Sequence, residues 1–125
     1  MIADDDDSVR AVIARILRDG GYTVLEARSS DEALALGDDL KLLVADLVMP
    51  STGGVELADT MRARIPGLRV LFTSGYTDGE IERRGLLRAG AAFIQKPLTP
   101  SALARAVQKT LTAASPPPGA SGGAA

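Results

Sequence analysis

An open α/β domain, with a parallel sheet wound by helices on both faces, is the fold this sequence predicts. Two observations carry the prediction. Strand-like and helix-like segments alternate five times along the chain, the order expected of a doubly wound sheet. The stretch from Leu42 to Pro50 then runs four apolar residues, Leu42 to Ala45, straight into a carboxylate, Asp46. An uninterrupted apolar run bounded by polar residues suits a strand buried on both faces of a parallel sheet. The crossovers are helical and short, so parallel strands with right-handed connections are expected.

The elements follow in order. Met1 to Ala3 is apolar and runs into four aspartates, Asp4 to Asp7, as the end of a first strand. From Ser8 to Asp19, Val9, Val12, Ile13, Ile16 and Leu17 form one apolar helical stripe, and Gly20 with Gly21 ends it. Tyr22 to Ala27 reads as a strand. Ser29 and Glu32 make a capping box for a short helix through Leu36. Leu40 to Ala45 is the central strand, and a helix from about Val55 to Arg64 follows Gly53 and Gly54. Pro66 and Gly67 stop it. Leu68 to Thr73 is the next strand, giving way to Ser74 and Gly75. A helix over about 78–88 is weakened by Gly79 and Gly85. Ala91 to Gln95 is a short strand broken by Lys96 and Pro97. Thr99 as N-cap and Pro100 at the first turn start the last helix, with Leu103, Ala106, Val107, Thr110 and Leu111 on its inner side. A folded domain over 1–113 is therefore expected, followed by a disordered tail of Ser, Pro, Gly and Ala over 114–125.

Composition narrows the chemistry. At 125 residues there is room for one domain with a real core. A net charge of -2 and a pI of about 5.1 leave no broad basic field for nucleic acid. No apolar run approaches the roughly 20 residues of a membrane span, and aspartates stand where a signal peptide would carry lysines. A cytoplasmic protein without membrane contact is the expectation. The sequence has no cysteine and no histidine. That excludes disulfides, thiolate zinc sites, a Ser-His-Asp triad and an internal phosphohistidine. Carboxylates, hydroxyls, lysine and a hard cation remain.

Those groups fall at the ends of strands. The first strand ends at Asp4 and Asp5, the third at Asp46, the fourth at Ser74 and the fifth at Lys96. In open α/β sheets, ligands bind outside the carboxyl ends of the strands. Converging carboxylates repel one another and their pKa values rise; a magnesium ion, which prefers oxygen ligands, resolves the conflict. A carboxylate is also a competent nucleophile toward phosphorus. A hydroxyl and an ammonium would then bind oxygens of the transferred group, which is most of what phosphoryl transfer needs.

With these residues in place the chain resembles the receiver domains of bacterial two-component response regulators. The matching pieces are Asp4 and Asp5 with Arg10 six positions after Asp4, Asp46 followed by Met49, Pro50 and Gly54, then Leu71 to Tyr76 and Phe93 to Pro97. The likeness spans residues 1 to about 112. Around Leu71–Thr77 and Gln95–Pro100 it is greatest to receivers attached to hybrid sensor histidine kinases. The resemblance implies a flavodoxin-like strand order 2-1-3-4-5 and a phosphoacceptor that catalyses only its own phosphorylation and dephosphorylation. Asp46 would take the phosphoryl group from a histidine kinase or a histidine phosphotransfer domain, in another protein or in the same longer chain. Asp5, Asp46 and the backbone carbonyl of Val48 would ligate magnesium, with Asp4 acting through water. Ser74 and Lys96 would bind the phosphoryl group, and Ser74 with Phe93 would form a switch read by a partner or a second copy of the chain. Val48, Gly75 and Tyr76 would govern access and lifetime, and Lys96–Pro97 would be a cis peptide.

Simpler readings stand beside these. Asp6 and Asp7 are expected only to cap a helix. Phe93 is equally a core aromatic in a chain with two Phe and two Tyr. A receiver fold used purely for docking or dimerisation is the alternative function, and the intact Asp5, Asp46, Ser74 and Lys96 argue against it. A magnesium-dependent phosphohydrolase is disfavoured because no acid stands two residues after Asp46. Only three residues precede Asp4, whereas strands in such sheets run about 5–6 residues. The first strand is thus expected to be truncated, with the rest of a longer protein upstream.

Overall fold

The computed structural model describes residues 1–36, 39–49, 53–75 and 92–112. The helix expected over 78–88, Tyr76 and the tail over 114–125 lie outside the described residues. Five strands, β1 (Ile2–Ala3), β2 (Glu26–Ala27), β3 (Leu42–Asp46), β4 (Arg69–Ser74) and β5 (Ala92–Gln95), form one parallel sheet in the order β2-β1-β3-β4-β5. Four helices are described: α1 (Asp7–Asp19), α2 (Ser30–Leu36), α3 (Gly54–Arg64) and α4 (Pro100–Thr112). Among the described residues no helix is long and apolar enough to cross a membrane.

Side chains alternate across a strand, and here the alternation splits the core into two layers. Ala3, Leu43, Ala45, Val70 and Phe72 pack with Ala33 of α2 and Leu57, Ala58 and Met61 of α3. Ile2, Val44 and Leu71 pack with Ile13, Ala14 and Leu17 of α1 and Leu103 and Val107 of α4. Each layer is built from one helical stripe per helix laid on one face of the sheet. The expected inner residues of α1 and α4 are all in or beside the second layer except Val12, which is exposed, and Thr110, which is buried.

Caps set the helix starts. The Asp6 carboxylate accepts from the Ser8 and Val9 amides at 2.9 and 3.1 Å, so α1 begins at Asp7, one residue before the sequence stripe does. Ser29 Oγ accepts from the Glu32 amide at 3.1 Å, while the Glu32 carboxylate reaches back to the Arg28 amide at 3.0 Å. The box is closed one residue earlier than the usual reciprocal form. Thr99 Oγ1 accepts from the Ala102 amide at 3.2 Å.

Three strands differ from the sequence reading, β3 and β4 beginning at Leu42 and Arg69 where Leu40 and Leu68 are expected. β2 is limited to Glu26 and Ala27 instead of running from Tyr22. It is an edge strand whose neighbour β1 offers only Ile2 and Ala3 for pairing, and a ladder is no longer than its shorter partner. Tyr22 and Leu25 are left exposed. β3 and β4 each run one residue further than expected, because Asp46 pairs with Thr73 and Ser74 with Gln95. Asp46 is therefore the last rung of the ladder and not a residue beyond it.

Candidate functional site

The register sets out a row of side chains at the carboxyl end of the sheet. Ile2 pairs with Val44, which places Asp4 level with Asp46, and Asp46 pairs with Thr73, which pairs with Ile94. These positions share the parity of Ile2, Val44 and Leu71, so the row lies on the α1/α4 face. Two backbone bonds draw its ends together. The Thr73 carbonyl accepts from the Leu47 amide at 2.9 Å, and the Ser74 carbonyl accepts from the Lys96 amide at 2.7 Å. The end of β4 thus holds both the residue after Asp46 and Lys96.

Asp4, Asp46 and Lys96 meet there. Lys96 Nζ lies 3.3 Å from Asp4 Oδ2 and 3.3 Å from Asp46 Oδ2. Asp4 is buried and Asp5 exposed, yet one carboxylate oxygen from each of Asp4, Asp5 and Asp46 falls within a 4.8 Å cluster. Burial pushes the Asp46 carboxyl above the usual carboxylate range; Lys96 opposes that rise and the Asp4 charge adds to it. Burial also works against the charge on Lys96, but the nearby carboxylates of Asp46 and Asp4 outweigh it and hold the ammonium above its ordinary pKa. Three acidic side chains and one ammonium leave the cluster short of positive charge. An all-oxygen donor set of this kind fits magnesium, and a bound cation would offset both the burial of the Asp46 charge and the Asp4 repulsion that adds to it.

The surrounding positions are set by the turn after each strand. Val48 is exposed, and its amide makes a long 3.4 Å contact to Asp46 Oδ1. Gly54 opens α3 with its amide donating to the Leu47 carbonyl at 3.0 Å. A Cβ on Gly54 would stand 2.1 Å from the Asp46 carbonyl oxygen, so only glycine lets α3 start this close to the acid. Arg10 braces the opposite side: its guanidinium donates to the Asp4 carbonyl at 2.9 Å and faces Asp7 and Glu26. Ser74 is buried at the end of β4. Gly75 is exposed, and a Cβ there would meet no described residue within 4 Å. Lys96–Pro97 is cis. Phe93 is partly buried beside the α2/α3 layer, in register with Phe72.

The structure therefore brings together Asp4, Asp5, Asp46 and Lys96, keeps Ser74, Val48 and Gly75 at the same edge, and sets Phe93 on the other face. Two features escaped the sequence reading. Thr73 is a buried hydroxyl in the row itself; a threonine directly after the apolar run Val70, Leu71 and Phe72 is its signal. The Gly54 contact has no signal beyond the glycine.

The chain is similar in sequence and fold to known proteins. The model of the response regulator receiver domain matches residues 1–108. Sensor kinase CckA of Brucella abortus is 35% identical over 115 residues, covering 89% of this chain and 12% of the kinase. Transcriptional regulatory protein FixJ of Azorhizobium caulinodans is 30% identical over 112 residues, covering 88% of this chain and 53% of FixJ. The chain thus spans about a tenth to about a half of the length of these curated relatives. Among solved structures, the receiver domain of the hybrid histidine kinase CckA superposes with a TM-score of 0.75 at 34% identity, covering 89% of this chain and 96% of that one. Chemotaxis protein CheY4 of Vibrio cholerae gives 0.78 at 26% identity, covering 88% and 95%.

Proposed function

The chain belongs to the response regulator receiver domain family, and from that premise we propose that Asp46 is the phosphoacceptor of a two-component phosphorelay. The observation that carries the proposal is the Lys96 ammonium standing 3.3 Å from both Asp46 and Asp4 inside a cluster of three carboxylates. An Asp46 oxygen attacks phosphorus, the P–N bond of a phosphohistidine breaks, and the leaving imidazole nitrogen takes the electron pair. With no histidine among these 125 residues, the donor is a histidine kinase or a phosphotransfer domain, in another protein or in the same longer chain.

Asp5, Asp46 and the Val48 carbonyl would hold magnesium, with Asp4 through water, and the ion would neutralise charge on the transferred group. Lys96 binds a phosphoryl oxygen, and its contacts to Asp46 and Asp4 hold the ammonium over the acceptor. Ser74, at the end of β4, offers its hydroxyl to a second oxygen. Gly75 presents no side chain to obstruct the approach. Ser74 and Phe93 lie on neighbouring strands, so movement of one is passed to the other; that pair is the proposed switch whose surface a partner reads.

Incubation with acetyl phosphate and magnesium tests the reading. Stoichiometric incorporation of one phosphoryl group supports it. Absence of labelling would favour a docking or dimerisation module, and steady release of inorganic phosphate in excess of protein would favour a phosphohydrolase.

A further inference from the structure

A buried hydroxyl without a partner among the described residues stands in the middle of the row. Thr73 is 1% exposed, and its Oγ1 has no hydrogen-bond partner among the described residues. Valine has nearly the same shape without the hydroxyl, so an apolar strand gains nothing from threonine here, and a buried unpaired hydroxyl is destabilising. Its surroundings suggest what the hydroxyl is for. Thr73 is flanked by Asp46 on β3 and Ile94 on β5, and Lys96 follows Ile94 by two residues. The sheet order puts β4 between β5 and β3. To bring Nζ to Asp46 on β3 and to Asp4 beyond β1, the Lys96 side chain must cross the end of β4, where Thr73 stands.

The ammonium is loosely held. An ammonium has three donors, and the two contacts to Asp4 and Asp46 are both 3.3 Å, longer than the roughly 2.7–2.9 Å of a tight charge-assisted bond. A divalent cation drawn to Asp4, Asp5 and Asp46 competes with Lys96 for the Asp4 carboxylate, and the donor so released needs another acceptor. We propose that Thr73 is a positioning residue whose Oγ1 accepts the N–H that Lys96 releases from Asp4 when a divalent cation binds. The ammonium then stays over Asp46 and does not swing out to water. Hydroxyl rotors and a hop between staggered χ1 wells supply the small motion required. The inference rests on the phosphoacceptor reading for its cation but concerns a residue that reading does not use.

Calorimetric titration with magnesium chloride of the wild-type chain, Thr73→Val and Thr73→Ser tests it, with thermal midpoints in metal-free buffer measured alongside. Thr73→Val should bind magnesium about fivefold more weakly, the worth of one ordinary hydrogen bond. Its metal-free midpoint should equal or exceed that of wild type, because the unpaired hydroxyl is gone. Thr73→Ser should bind within about twofold of wild type, since it keeps the acceptor. A merely structural threonine would lower the midpoint of Thr73→Val and leave affinity unchanged. Either of those results overturns the proposal while leaving the phosphoacceptor reading intact. If the wild-type chain binds no magnesium, both fall.

Discussion

The two faces of this sheet are made from the same strands and do opposite work. On the α2/α3 face the strand residues are apolar until Ser74 and Gln95 close β4 and β5: Ala3, Leu43, Ala45, Val70 and Phe72 meet Leu57, Ala58 and Met61, all nearly sealed from solvent. On the α1/α4 face the same strands run from Ile2, Val44 and Leu71 into Asp4, Asp46 and Thr73. One residue of alternation separates Ala45, a packing residue, from Asp46, a charge in short supply of partners. The lesson is that the first face holds what the second would repel. Its well-packed layer fixes the strand ends, and Gly54 carries that rigidity to the Asp46 backbone.

Substitutions on the two faces should therefore move opposite quantities. The largest effect is expected at Leu57 or Met61, both 0% exposed. Truncation of either to alanine should cost about 2–5 kcal/mol in urea unfolding, and magnesium affinity should survive wherever the domain stays folded. Affinity lost out of proportion to stability would break the division. Next comes Gly54→Ala, which crosses it. With a Cβ 2.1 Å from the Asp46 carbonyl, the turn must shift, costing about 1–3 kcal/mol as overpacking does. Here phosphorylation should slow together with stability.

A smaller change, of opposite sign, is expected at the acid itself. Burial holds the folded Asp46 carboxyl above its ordinary pKa of 3.8, so the folded state binds the proton more tightly than the unfolded one. Stability is then highest below the unfolded value and falls as pH rises from about 3.8 through the folded pKa. Asp46→Asn removes that fall. In metal-free buffer at pH 7 it should raise the thermal midpoint by about 1–4 °C, and its stability should lack the wild-type decline over that window. Saturating magnesium should stabilise wild type and narrow or reverse the gap. An Asn variant less stable than metal-free wild type at pH 7 would contradict this.

The smallest structural effect belongs to Val48, which is exposed; Val48→Asn should change stability by no more than about 0.5 kcal/mol. In sequence, neither Val48 nor Tyr76 bears a carboxylate or amide to orient an attacking water, and combining Val48→Asn with Tyr76→Glu should shorten the phosphoryl half-life several-fold. A half-life equal to wild type or longer would show that these two side chains do not set it.

Much of this was legible before any coordinates. The apolar run into Asp46, the acids after Ala3 and the lysine before Pro97 mark strand ends, and strand ends share an edge in a wound sheet. Pairing was less visible, because it belongs to two segments at once. Nothing in Tyr22 to Ala27 reveals that β1 offers only two partners, and nothing in Leu42 to Asp46 reveals that Asp46 closes the ladder against Thr73. Thr73 reads as the last residue of an ordinary strand; only packing shows its hydroxyl without a partner among the described residues. The Gly54 approach is likewise a distance between segments, invisible until α3 is laid against β3.

The central claim, that the row at the sheet edge makes Asp46 the phosphoacceptor, is tested most directly by locating the label. After acetyl phosphate treatment with magnesium, borohydride reduction converts an acyl phosphate to the corresponding alcohol, and peptide mass mapping then identifies the residue reduced. The account predicts homoserine at position 46 alone in the wild-type chain, none when magnesium is chelated beforehand, and none in Asp46→Asn. Reduction at Asp4 or Asp5, or persistent labelling of Asp46→Asn, would contradict it.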